Sequence, residues 1–137
     1  MSAKRHRPAV ASSTPLAPGD VLADKYRIEG VIGKGGMGVI YAGTNVQLDQ
    51  RVAVKVLAAS ADDETVARFT REARTLAKLQ DEHVSRVIDL GTSDLHGPFM
   101  VLELLEGEDF ADLLERVGPL AIDEAVGYAL QACEAVA

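Results

Sequence analysis

Residues 32–55 read IGKGGMGVIYAGTNVQLDQRVAVK: a glycine run, a β-branched segment, a short turn, then Val-Ala-Val-Lys. Gly33, Gly35 and Gly38 stand in the spacing G-x-G-x-x-G, with Gly36 as a fourth glycine. Lacking a Cβ, such residues let the backbone turn tightly and bring its N–H groups close to an anion. The spacing alone is shared by several phosphate-binding architectures and by plain turns, so the flanks decide. A dinucleotide-binding fold needs a helix straight after the glycines. Here Val39, Ile40, Tyr41, Ala42, Gly43 and Thr44 follow, which favour a strand. A P-loop needs Gly-Lys followed by Ser or Thr, and Lys34 is followed by Gly35. Strand, glycine turn, strand is what remains.

Val52, Val54 and Val56 alternate with Ala53 and Lys55. A strand here puts the valines on one face and Ala53 with Lys55 on the other. Most strand lysines are simply solvated on a sheet surface. This one stands beside an alanine on a face that a glycine-rich hairpin covers, which favours a lysine reaching phosphates beneath the hairpin.

IGKGGMGVIYAG followed by VAVK resembles the start of a protein kinase domain, and is most similar to the bacterial Ser/Thr kinases of eukaryotic (Hanks) type. Ile40 stands where the family pattern has Val, a change within the β-branched class. The resemblance implies an ATP-binding hairpin running from Ile32 through Gly33, Lys34, Gly35, Gly36, Met37, Gly38 and Val39 to Ile40. It also implies that Lys55 contacts the α- and β-phosphates. Ile32, Ile40 and Ala53 then form an apolar roof over the base.

Ser60 to Leu79 reads as the clearest helix, with Ser60 as N-cap and Asp62, Asp63 and Glu64 at the positive end of its dipole. Val66, Phe69, Ala73, Leu76 and Leu79 form its apolar stripe, and Glu72 lies at the stripe's edge. Read locally, Glu72 is an exposed carboxylate beside Arg68, Arg71 or Arg74. FTREARTLAKL is similar to the family's helix C, and the resemblance gives Glu72 the task of holding Lys55. Lys55 and Glu72 are the two catalytic-site candidates.

The chain has 137 residues, 47% apolar and 26% charged, enough for one domain with a core. A net charge of −7 argues against nucleic acid as a main partner. Cys133 is the only cysteine, which rules out an intrachain disulfide and fits a reducing, cytoplasmic compartment. On its apolar helix it reads as a core residue. Three histidines and one cysteine give no metal-ligand spacing. No apolar run reaches the ~20 residues of a membrane span.

Residues 1 to 18, with Ser12-Ser13-Thr14-Pro15 and Pro18-Gly19, read as a disordered tail with little to bury. Modification at Ser12, Ser13 or Thr14 competes there with a merely solvated linker. Residues 19 to 105 read as the ATP-binding small lobe and 106 to 137 as an incomplete start of the large lobe. His83 is taken as structural and His96 as solvated. PFMVLELL, from Pro98 to Leu105, reads as a strand buried on both faces. Its end resembles the kinase hinge, with Leu102 as gatekeeper and the backbones of Glu103 and Leu105 toward the adenine edge. Asp109 is a candidate for the ribose hydroxyls, or the N-cap of a helix from Phe110 to Val117. Gly118-Pro119 ends that helix, and a second apolar one follows from Ile122 to Ala137.

The expected fold class is therefore α+β: a kinase-like small lobe of antiparallel sheet plus helix C, then the first helices of a truncated large lobe. No His-Arg-Asp, Asp-Phe-Gly or Ala-Pro-Glu occurs in the 137 residues. The family's base and Mg²⁺ ligands would lie in the missing part, so ATP and Mg²⁺ are the implied cofactors and the chain alone is expected to be inactive. Its implied partners are a protein substrate and the missing lobe. Two readings stand: the N-terminal portion of a Ser/Thr protein kinase, or a pseudokinase-like interaction module. The apolar end of the last helix favours the first.

Overall fold

The computed structural model describes residues 14–137. Its elements are β1 (Val21–Leu22), β2 (Tyr26–Gly35), β3 (Gly38–Asn45), β4 (Gln50–Leu57), α1 (Asp63–Lys78), β5 (Val87–Ser93), β6 (Gly97–Glu103), α2 (Phe110–Val117) and α3 (Ile122–Val136). The strands pair antiparallel in one sheet, in the order β1-β2-β3-β4-β6-β5. This is the expected α+β arrangement of antiparallel sheet, one long helix, and two helices after them.

Strand alternation sorts the apolar residues into two cores. Tyr41, Val52, Val54, Val56, Phe99 and Val101 join Leu22, Tyr26 and Ile28 in one buried cluster. On the other face Leu57 and Met100 meet Phe69 and Ala73 of α1. β6 is buried on both faces only from Phe99 to Val101, with Phe99 and Val101 toward the first core and Met100 toward the second; it ends at Glu103, short of the expected Leu105, which is exposed. We call the second side the helix face.

The sheet curls around the first core. Tyr26, near one edge, donates its hydroxyl proton to Asp89 Oδ2 on the opposite edge strand at 2.6 Å, and Lys25 Nζ lies 3.3 Å from the same oxygen. Partial burial pushes the Asp89 carboxyl up, but the Tyr26 hydrogen bond and the Lys25 ammonium outweigh it and hold it below its ordinary value. Irregular pairing in β2, between Ile28 and Gly30 and between Val31 and Gly33, supplies two bulges. Bulges bend a strand and deepen its twist, which suits a hairpin that folds over one face.

Several expectations need correction. The cap of α1 is Asp62, whose side chain accepts from the Thr65 N–H at 2.8 Å, and the helix starts at Asp63. Asp and Ser cap comparably well, so composition did not separate them; the N3 position of Thr65 relative to Asp62 does. Chain expected to be tail packs from Thr14 onward: Leu16 is buried in the first core, and the Gly19 N–H donates to the Ile28 carbonyl at 2.8 Å. A tail inferred from Ser, Pro and Gly overlooks the one leucine that lands on a sheet face. Ser12, Ser13 and the remaining tail positions lie outside the described residues. His96 is half-buried, its Nδ1 lying 3.1 Å from the Thr14 carbonyl oxygen, and is not merely solvated. Cys133 is exposed, because α3 buries none of its residues among those described.

The glycine hairpin meets its neighbour closely at one place. A Cβ on Gly38 would lie 2.0 Å from the Val56 carbonyl oxygen and 3.1 Å from Leu57 Cα, both backbone atoms of β4. A Cβ on Gly36 would meet nothing within 4 Å. Gly38→Ala is therefore expected to lower the thermal midpoint by at least about 5 °C and Gly36→Ala to leave it nearly unchanged; equal effects would contradict the close approach. Leu16→Ala is expected to cost about 2–3 kcal/mol in urea unfolding at an unchanged m-value, and an unaltered midpoint would show that the segment before β1 adds nothing.

Candidate functional site

β4 presents Lys55 on the helix face because its even-numbered valines fill the first core. α1 lies over that face through Phe69 and Ala73, which brings Glu72 to the strand lysine. Lys55 Nζ is 3.2 Å from Glu72 Oε1, and the two side chains are 20% and 39% exposed. The ammonium also lies 5.9 Å from the Phe69 ring centroid, within reach of a cation–π attraction. The local alternative fails: Arg68 turns to Glu64 at 3.7 Å, while Glu72 takes Lys55. A pair this exposed adds about 0–1 kcal/mol to stability. Its consequence is positional. It fixes the ammonium and leaves two of its three N–H donors for something else.

Cross-strand register shows what surrounds that ammonium. Ile40 pairs with Lys55, Ala42 with Ala53, and Ala53 with Leu102, so these side chains share the helix face. They make an apolar strip beside one cation. Gly33 pairs with Ile40 and stands over the same face. Lys34 pairs with Val39, and Val39 packs against the first core. Both side chains therefore leave the helix face, and only their backbones remain available there. β2 runs on through Gly35 and β3 begins at Gly38, which confines the turn to Gly36 and Met37. Ile32 is the extra residue of the second bulge and is 55% exposed.

The far end of the strip lies where β6 passes into α2. The Glu103 N–H donates to the Arg86 carbonyl at 2.9 Å, and its own carbonyl accepts a long 3.3 Å contact from the Ser85 hydroxyl. That contact leaves the carbonyl with lone-pair capacity. Arg86 and Ser85 were not legible as neighbours of this segment, since no local pattern links positions 17 or 18 residues apart. Leu105 is 68% exposed on the connection. Asp109 caps α2, its Oδ1 accepting from the Asp112 N–H at 2.9 Å. His83 meets Glu134 of α3 at 3.3 Å, in keeping with a structural part.

A concavity of about 670 Å³ lies elsewhere, between the end of α1, the loop after it, β5 and Glu103. It holds neither the Lys55 pair nor the glycine turn. The Lys55 face is the candidate site because a positioned cation and an apolar strip lie side by side there, which volume alone does not supply. The arrangement fits a ligand with a flat apolar part and an anionic part. Among the described residues no helix is long and apolar enough to cross a membrane.

The protein kinase domain profile matches residues 26–137. The serine/threonine-protein kinase pkn3 of Myxococcus xanthus is 38% identical over 104 residues, covering 74% of this chain and 19% of that protein. PknA of Mycobacterium tuberculosis is 37% identical over 129 residues, covering 85% of this chain and 30% of that protein. Among solved structures, the M. tuberculosis PknI kinase domain superposes with a TM-score of 0.75 at 27% identity, covering 88% of this chain and 49% of that one. The chain thus spans less than a third of the two curated relatives and about half of the solved domain. The sheet with its covering helix is the small-lobe fold of those domains, and the chain belongs to the protein kinase family.

Proposed function

We propose that the helix face is the ATP-binding half of a Ser/Thr protein kinase phosphoryl-transfer site. The observation that carries this reading is the Lys55–Glu72 pair at 3.2 Å, on a strand paired with the second strand of the glycine hairpin. Lys55 would hold the α- and β-phosphates, with Glu72 keeping its ammonium in place. The hairpin backbone from Gly33 to Gly38 would offer its N–H groups to the phosphates. Ile32, Ile40, Ala53 and Leu102 would enclose the base, and the Glu103 carbonyl with the Leu105 backbone would meet its edge. Asp109 keeps a second carboxylate oxygen free of the helix cap among the described residues and would face the ribose.

Bound Mg²⁺-ATP would supply the transferable phosphoryl group and the metal's charge neutralisation. The 137 residues contain no His-Arg-Asp and no Asp-Phe-Gly, so neither the substrate base nor the metal ligand of that motif pair is at hand. Positioning and charge stabilisation act together in this chemistry, and Lys55 with Glu72 supplies only part of them. The protein substrate and the rest of the kinase domain are the partners this reading requires. Phe110, Leu114, Ile122 and Leu130 are exposed on α2 and α3, an apolar surface that a large lobe would cover. An interaction module without catalysis is the competing reading.

Purified 137-residue chain is expected to transfer no phosphate to a protein substrate and to bind Mg²⁺-ATP weakly in calorimetry, with Lys55→Met abolishing that binding. Turnover that survives purification and disappears in Lys55→Met would contradict the inactivity. Binding unaffected by Lys55→Met would contradict the site.

A further inference from the structure

The turn of the glycine hairpin has few restraints. A Cβ on Gly35 or Gly36 would meet nothing within 4 Å. Met37 is different. It is half-buried and packs against the second core, which Leu57 and Met100 of the sheet build with Phe69 and Ala73 of α1. Its carbonyl oxygen accepts from the Ala58 N–H at 2.9 Å, just beyond the end of β4. The same cluster governs the ion pair from the other side. Phe69 lies under the Lys55 ammonium, and Glu72 immediately precedes Ala73 on α1. One apolar cluster therefore touches the turn, the helix and the lysine.

We propose that Met37 is a positioning residue that ties the glycine turn to α1, so that the turn and the Lys55–Glu72 pair are set together. An unbranched thioether side chain adapts to an irregular gap of this kind. Lifting the turn withdraws Met37 from the cluster, uncovers apolar surface beside Phe69 and Ala73, and breaks the Ala58 bond. Displacing α1 removes the surface on which Met37 rests, so the coupling runs both ways. The inference deepens the ATP-site reading and takes its meaning for phosphoryl transfer from it.

The test is residue-resolved hydrogen exchange on the 137-residue chain without nucleotide, comparing Met37→Ala and Met37→Leu with the parent. Met37→Ala is expected to speed exchange on the order of tenfold at Ala58 and from Phe69 to Ala73, with Ile28, Tyr41 and Val54 unchanged. Met37→Leu is expected to return those rates close to the parent's. Unchanged exchange in α1, an equal rise in both cores, or a leucine variant no better than alanine would each overturn the proposal. With nucleotide absent, failure here leaves the ATP reading standing, and failure of ATP binding leaves this result standing.

Discussion

β4 sits between two cores and belongs to both. Val52, Val54 and Val56 are committed to one side by burial, which leaves Ala53 and Lys55 no choice but the other. A slip of one residue in pairing would bury a lysine and expose three valines. Removing an ammonium from water without a partner is far costlier than any single contact in the sheet, so the register is strongly fixed. The helix face, the ion pair and the placement of the hairpin all follow from that constraint.

The helix completes what the strand begins. Phe69 and Ala73 bury against Leu57 and Met100, and their burial sets the rotation of α1 about its axis. Glu72 arrives at Lys55 as a consequence of that rotation. The ion pair is thus a product of apolar packing, and its modest energy is consistent with a part in positioning. The same packing provides the surface on which the tip of the hairpin rests. On the opposite side the sheet closes on itself, and the Tyr26–Asp89 bond at 2.6 Å ties strands that are far apart in sheet order. The first core therefore backs a face whose hairpin tip rests on the second core through Met37.

Much of this was legible in the sequence because strand alternation and helix spacing are local. The register of Val52 to Val56 and the stripe through Phe69 and Ala73 can be counted along the chain, and the Lys55–Glu72 pair follows from family resemblance laid over them. What escaped depends on distant partners. Leu16 is one leucine among Ser, Pro and Gly, and only the curled sheet tells it where to go. Asp62 and Ser60 look alike as caps until the first helical turn is built. Ser85 and Arg86 reach Glu103 across a strand pairing that no short pattern encodes. Two bulges in β2 shift the alternation at Gly30 and Val31 and restore it by Lys34, which counting residues misses.

We propose that the helix face, and no other surface of this sheet, receives the nucleotide. The most direct test is a titration of the isotope-labelled chain with Mg²⁺-ATP followed by amide chemical shifts, a method that registers weak binding. Changes are expected only at Gly33 through Gly38, Ile40, Ala53, Lys55, Glu103 and Leu105. Changes centred on Tyr26, Ile28 and Tyr41, or none at any concentration, would contradict the proposal.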